Sequence, residues 1–266
     1  MSTVTSSDGT TIAYEKTGSG PPIVLVDAAF AHREINPSAR QLAAQLASDF
    51  TVYLYDRRGR GGSGNTAPYA VEREVEDLGA VIAEAGGSAY AVGGSSGGVL
   101  ALEGAARGLP ITKLALYEPP FIVDDSRPPR PGDYVETLDR MVEEGRRGDA
   151  VEYFMTAAVG MPAEFVAPLR QSPHWGEFEK VAHTISYDGR IMGDTMSGRP
   201  LPADRWASVT MPTLVADGGA SYPFVRAGAE ALAALLPDAR RRTLDGQSHD
   251  VAPDVFAPVL KEFFTA

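Results

Sequence analysis

The sequence contains no cysteine. Disulfides, thiolate metal sites and a cysteine nucleophile are therefore excluded. It contains no apolar run near the ~20 residues that cross a bilayer as a helix. The opening stretch MSTVTSSDGTTIAYEK lacks the apolar segment of a secretion signal. A cytoplasmic protein is the expectation. Basic charge is scarce, with 24 Lys and Arg against 35 Asp and Glu and a net charge of −11. Phosphate and anionic lipid are bound by clustered positive charge, so neither nucleic acid nor a membrane is expected as a partner. The short run Arg240, Arg241, Arg242 reads as a solvated edge. No repeat and no low-complexity tract interrupts the chain, and nothing in it suggests a metal or a cofactor.

At 266 residues the chain is long enough to bury a large core without staples. STVTS and TIAYEK alternate around the turn signal Asp8-Gly9 and predict a hairpin. The short apolar runs IVLVDAAF and TVYLYD suit strands buried on both faces. Helical patterns follow each of them, in PSARQLAAQLASDF and in VEREVEDLGAVIAEAG, where Val75, Leu78 and Ile82 fall on one face. AYAVGG, ITKLALYEPP, PTLVADGG and ARRRTLDGQ read as further strands, with helical stretches between them. This alternation predicts an α/β fold with a mostly parallel, doubly wound sheet. It stops between 121 and 210, where the pattern is helical and holds five of the seven methionines. The expected organisation is a core of residues 1–120 and 211–266 with a helical cap, 121–210, over the carboxyl edge of the sheet. Open α/β sheets bind their ligands at that edge. The methionines then act mainly as core fillers, one or two of them lining a pocket.

The stretch VGGSSGG, 92 to 98, lies between a predicted strand and a predicted helix. That context makes G-x-S-x-G a nucleophile elbow rather than a linker. The serine must stand on a strained turn clear of the backbone, and only small neighbours allow the chain to pass so close. The following helix start offers backbone N–H groups to a developing negative charge. The pattern fits both Ser95 and Ser96. VGGSSGGVLAL resembles the line V-G-H-S-x-G-G-x-x-A-L of the α/β-hydrolase superfamily, in frame with Ser95 as nucleophile. That resemblance implies the α/β-hydrolase fold and a Ser-acid-His order along the chain.

A serine needs a positioned base. Of four histidines, His249 lies in LDGQSHDVAPDVF, which resembles the superfamily's histidine loop after the last strand. His174 and His183 fall in the cap region and read as packing or surface residues. The acid departs from the usual pattern: its register after PTLVADGG puts Ser221 there, and a serine cannot stabilise an imidazolium as a carboxylate does. Glu118 in LYEPP, at the tip of the strand after the elbow helix, is the expected replacement, with Asp217 the alternative. GGSSG and YEPP are similar to a branch of the superfamily, the zearalenone-type lactonases, whose acid is a glutamate at this strand end.

The resemblance implies an oxyanion hole from the backbone N–H groups of Ser96 and Ala29. The loop after the first buried strand reads DAAF, Asp27 to Phe30, where relatives write H-G-x. Phe30 at the end of that loop is an expected substrate contact; His32 just after it is a candidate one, with a loop hydrogen-bonding role as its other and favoured reading. Trp175 in SPHW is similar to a P-x-W stretch of the lactonases, where the tryptophan faces substrate; plain packing is its other reading. DRRGRGGSG, 56 to 64, resembles the superfamily's D-x-R-G-x-G-x-S turn and is expected to be structural, with Asp56 and an arginine tying the loop.

The expectation is a serine hydrolase of a carboxylic ester or lactone with an apolar body, working without cofactor as a monomer or homodimer. Two rivals stand beside it. One is a non-hydrolytic enzyme of the same fold, a cyclase, a rearranging enzyme or a cofactor-free oxygenase. The other is a small-molecule binding protein on the same scaffold.

Overall fold

The computed structural model describes residues 2–266. β1 (Ser2–Thr5) and β2 (Thr11–Gly18) form the expected hairpin, with Thr5 opposite Thr11. Asp8 Oδ1 accepts the Thr10 N–H at 3.0 Å, and Gly9 supplies the positive φ of +84° that closes the turn. The strands β3 (Pro22–Val26), β4 (Thr51–Tyr55), β5 (Ala89–Gly94), β6 (Ile111–Tyr117), β7 (Thr213–Gly218) and β8 (Ala239–Leu244) follow. They lie in the order β1-β2-β4-β3-β5-β6-β7-β8. The first two pairings are antiparallel and all others parallel.

The two-residue period of a strand sends alternate side chains to opposite faces. Val24 and Val26 join one apolar cluster, Ile23 and Leu25 the other. Tyr53 and Tyr55 divide from Val52 and Leu54 in the same way. The first cluster is covered by α2 (Val71–Glu84), α3 (Ser95–Ala106) and α9 (Pro223–Leu235). The second is covered by α1 (Pro37–Leu46) and α10 (Pro253–Thr265). The sheet is thus mostly parallel and wound on both sides, as the sequence pattern predicts. The edge strand β8 carries Arg240, Arg241 and Arg242; Arg241 pairs with Asp217 and Arg242 with Glu262, so charge guards this edge.

Between β6 and β7 run α4 (Tyr134–Glu143), α5 (Arg147–Tyr153), α6 (Ala163–Leu169), α7 (Trp175–Lys180) and α8 (Ile185–Met192). A π-helical turn, Phe154–Val159, prolongs α5. These helices have their own apolar cluster, from Tyr134 to Ile185, which also takes in Phe30. The flanks of the same stretch belong elsewhere: Phe121, Ile122, Met192, Met196, Trp206 and Val209 pack into the first sheet cluster. Trp206 stacks on Phe121 at 5.5 Å and donates to Glu103 Oε1 at 2.8 Å. Among the described residues no helix is long and apolar enough to cross a membrane.

Candidate active site

β5 ends at Gly94, and α3 begins at Ser95 with φ at +51°. An L-residue adopts that conformation only under strain. Two glycines make room for it. A Cβ on Gly97 would stand 2.3 Å from the Val26 carbonyl oxygen, and one on Gly93 2.6 Å from that of Gly97. The elbow is therefore pressed against the loop that leaves β3. Among the described residues only Phe30, Ser95 and Glu118 are non-glycine residues with positive φ, and all three lie at the carboxyl edge of the sheet.

Glu118 follows β6 directly, has φ at +48° and is fully buried. Its Oε1 accepts the Gly218 N–H at 2.7 Å, and its Oε2 lies 2.8 Å from His249 Nδ1. A carboxylate only accepts, so the imidazole donates from Nδ1 and leaves Nε2 free to take a proton. The loop after β8 carries His249. Tyr117 donates to the Ser248 carbonyl at 2.5 Å, and the Gln247 carbonyl takes the Ala220 N–H at 2.8 Å. A Cβ on Gly218 would sit 2.2 Å from that Gln247 oxygen, so only glycine lets the loop cross here.

Asp217 lies one residue before Gly218 but is engaged elsewhere. It is fully buried, accepts Thr243 Oγ1 at 2.7 Å, and pairs with Arg241 at 2.7 Å. Ser221 Oγ is buried without a partner.

The loop Asp27–Phe30 is held by buried arginines. Arg57 Nη1 donates to the Asp27 carbonyl at 3.2 Å, and Arg60 Nη1 to the Ala28 carbonyl at 2.5 Å. With both carbonyls turned to the arginines, the Ala29 N–H has no partner among the described residues. The arginines are balanced by Asp188 of α8, 2.7 Å from Arg57 and 2.6 Å from Arg60, and by Glu74, 2.7 Å from Arg57. Burial alone would raise the Asp188 carboxyl, but the two guanidinium groups hold it below its ordinary value. The 56–64 turn is thus more than a tied loop. Asp56 binds Arg33 and the Gly62 N–H, as a structural residue would, while Arg57 and Arg60 reach out to the site. Asp27 accepts from Asn36 at 2.8 Å, and burial pushes its carboxyl up to about 6.

Ser95, Ser96, His249, Ala29 and Phe30 all line one cavity of about 480 Å³ between the sheet edge and the inserted helices. Its walls are mainly apolar, with Phe154, Phe178, Met192, Met196 and Phe224 among them. Two candidate contacts lie outside this lining. His32 is buried, but its residue forms the turn that starts α1, its carbonyl accepting the Ile35 and Asn36 N–H groups. Trp175 packs inside the helical cluster, edge-on to Phe178 at 6.4 Å, and donates to Glu179 at 3.1 Å. Phe178 takes the place on the wall expected of Trp175. His183 packs against the 56–64 turn, its Nε2 3.0 Å from where a Cβ of Gly59 would be. The sequence reading missed Phe178, Arg130 and Asp188. The helical spacing of Phe178 marks it as apolar and packed, but nothing local tells core from cavity wall.

A family model described as "Alpha/beta hydrolase family" matches residues 23–259. An α/β hydrolase from Sphaerobacter thermophilus DSM 20745 is 56% identical, with 99% of this chain and 100% of that chain covered and a TM-score of 0.91. The enol-lactonase from Burkholderia xenovorans LB400 shares 23% identity over the whole of both chains, with a TM-score of 0.72. An esterase from Exiguobacterium antarcticum shares 20% identity over 100% of this chain and 99% of that chain, with a TM-score of 0.70. The comparison with curated proteins gave no match. From the matched family model and the relative at 56% identity, this chain belongs to the α/β hydrolase family.

Proposed function

We propose that the protein is a serine hydrolase that cleaves a carboxylic ester or lactone of a small, largely apolar molecule. The observation that carries this reading is the 2.8 Å contact of Glu118 with His249 Nδ1, made by a histidine that shares its cavity with Ser95. Ser95 Oγ attacks the acyl carbon while His249 Nε2 takes its proton. Glu118 fixes the tautomer and stabilises the imidazolium. The Ala29 and Ser96 N–H groups hold the oxyanion; losing one such donor costs ~10²–10³ in turnover. The tetrahedral intermediate collapses, and the leaving alkoxide takes the proton back from His249. In a lactone the freed hydroxyl stays on the acyl chain. Water, deprotonated by His249, then attacks the acyl-enzyme and releases the acid. The helical insertion acts as the cap that keeps water out of the apolar cavity. Structural neighbours of this fold include an enol-lactonase and an esterase, which is consistent with acyl transfer.

The experiment is hydrolysis of 4-nitrophenyl esters together with labelling by a fluorophosphonate. Wild type is expected to turn over and to be labelled at Ser95, and Ser95→Ala to do neither. Labelling at Ser96, or turnover that survives Ser95→Ala, would overturn the reading.

A further inference from the structure

The apolar cavity contains one guanidinium that the chain leaves without a carboxylate. Arg130 is the only Lys or Arg lining it among the described residues. Its Nη1 donates to the Gly189 carbonyl at 3.2 Å and its Nη2 to the Gly193 carbonyl at 2.7 Å. Its guanidinium stacks on Tyr134 at 4.8 Å. Two neutral carbonyls and a ring fix its position but do not neutralise it. A guanidinium has five N–H donors, so several remain for another acceptor. The contrast with the neighbouring cluster is direct. Arg57 and Arg60 are buried nearby with Asp188 and Glu74 as counter-charges, so that cluster is neutral in itself. Asp188 also lines the cavity, but its two oxygens are taken by those arginines. The remaining lining carboxylate is Asp250, an exposed residue next to His249. Arg130 is half-buried, with its Gly193 contact open to solvent, and this partial burial draws its guanidinium below the ordinary value against the opposing pull of Tyr134, Tyr153 and Glu136. A half-buried guanidinium with spare donors and no ion pair offers an incoming anion a partner that is already partly desolvated.

We infer that the substrate carries a carboxylate, or an equivalent anionic group, which Arg130 binds while Ser95 attacks an ester or lactone carbonyl elsewhere in the same molecule. This inference rests on the hydrolase reading and narrows its substrate class to hemiesters or lactones of acids with a second acidic group. A planar guanidinium matches a carboxylate in a paired, directional contact. The chain as a whole is strongly acidic, at −11, and would repel such a substrate. A local unpaired cation is what makes an anionic ligand acceptable there. The size agrees, because a cavity of about 480 Å³ encloses both ends of a small molecule.

The test compares mono-4-nitrophenyl glutarate with its methyl ester, in which a neutral methyl ester replaces the charged far end. Wild type is expected to favour the free acid in kcat/KM by at least about tenfold. Arg130→Gln is expected to bring that ratio to about one, chiefly through KM, and Arg130→Lys to retain part of it. A ratio is insensitive to a uniform loss of folded enzyme. A wild-type ratio at or below one, or an equal fall for both esters in Arg130→Gln, would overturn the inference and leave hydrolysis standing. Calorimetry of glutarate with Ser95→Ala separates the two failures. Binding that disappears on adding Arg130→Gln supports the anion site even where neither ester is cleaved, and no binding to Ser95→Ala counts against it.

Discussion

His249 Nδ1 lies 2.8 Å from Glu118 Oε2, although 131 residues separate the two in the chain. The contact is built from both sides: the Gly218 N–H holds the other carboxylate oxygen, and Tyr117 holds the backbone just before the histidine. Glu118→Gln removes the charge while keeping size and the acceptor for Gly218. We expect kcat on 4-nitrophenyl esters to fall ~10³–10⁴-fold with KM little changed, because the imidazole loses its tautomer and its counter-charge. Asp217→Asn is the control. It should keep kcat within about threefold and lower the melting temperature, since Asp217 is tied to Arg241 and Thr243 rather than to His249. Equal losses of kcat in the two variants would remove Glu118 from its role.

Asp27 stands where related loops carry histidine, and burial lifts its carboxyl from the ordinary 3.8 to about 6. A raised carboxyl binds its proton more tightly in the folded state than in the unfolded one. The folded protein therefore loses stability as pH rises from about 4 to about 6, and the full cost stands above that. The shift corresponds to about 3 kcal/mol. Asp27→Asn keeps an acceptor for Asn36 and carries no charge. Thermal melts of this variant should run several degrees above wild type at pH 8, with the gap closing as pH approaches 4. A gap that is constant with pH would show that charge is not its cause.

The fold was legible because each part of it left a local periodicity. Ile23 to Val26 is apolar throughout, and only a strand covered on both faces needs that. The glycines at 93 and 97 marked the elbow because its close approaches forbid a side chain. Glu118 stood out through the two prolines behind it. His32 and Trp175 took the second of the two readings each had in the sequence, a loop turn and a packed core, because neither closeness to the loop after β3 nor a P-x-W stretch says which side of a turn or helix faces the cavity. Arg130 left no signal at all. In RPPRPG it reads as loop, and its meaning comes from what is missing around it in space, a carboxylate, which no sequence pattern records.

Asp188 links the inserted helices to the loop that carries Ala29. Asp188→Asn leaves Arg57 and Arg60 buried with Glu74 as their one remaining carboxylate. Breaking a buried pair in this way costs about 3–5 kcal/mol. Urea unfolding should show a drop of that order with an unchanged m value. Arg60 also anchors the Ala28 carbonyl, so kcat should fall more than KM rises. A variant as stable as wild type would mean that the cluster is solvated in solution.

Gly97→Ala tests the joint between the elbow and the oxyanion loop. The added methyl would lie 2.3 Å from the Val26 oxygen and 2.6 Å from the Asp27 oxygen, both backbone atoms that no rotamer change can move. Either the loop leaving β3 or the start of α3 must shift, and the two proposed oxyanion donors, Ala29 and Ser96, sit one on each. The expected result is a lower melting temperature and a kcat reduced at least ~10²-fold, the cost of misplacing one donor. Gly132→Ala is the reference, since a Cβ there meets nothing within 4 Å. It should leave kcat unchanged and raise stability by about 0.4–1 kcal/mol through the unfolded chain. If Gly97→Ala behaved like Gly132→Ala, the tight contact between Val26, Asp27 and the elbow would not be what sets the oxyanion hole.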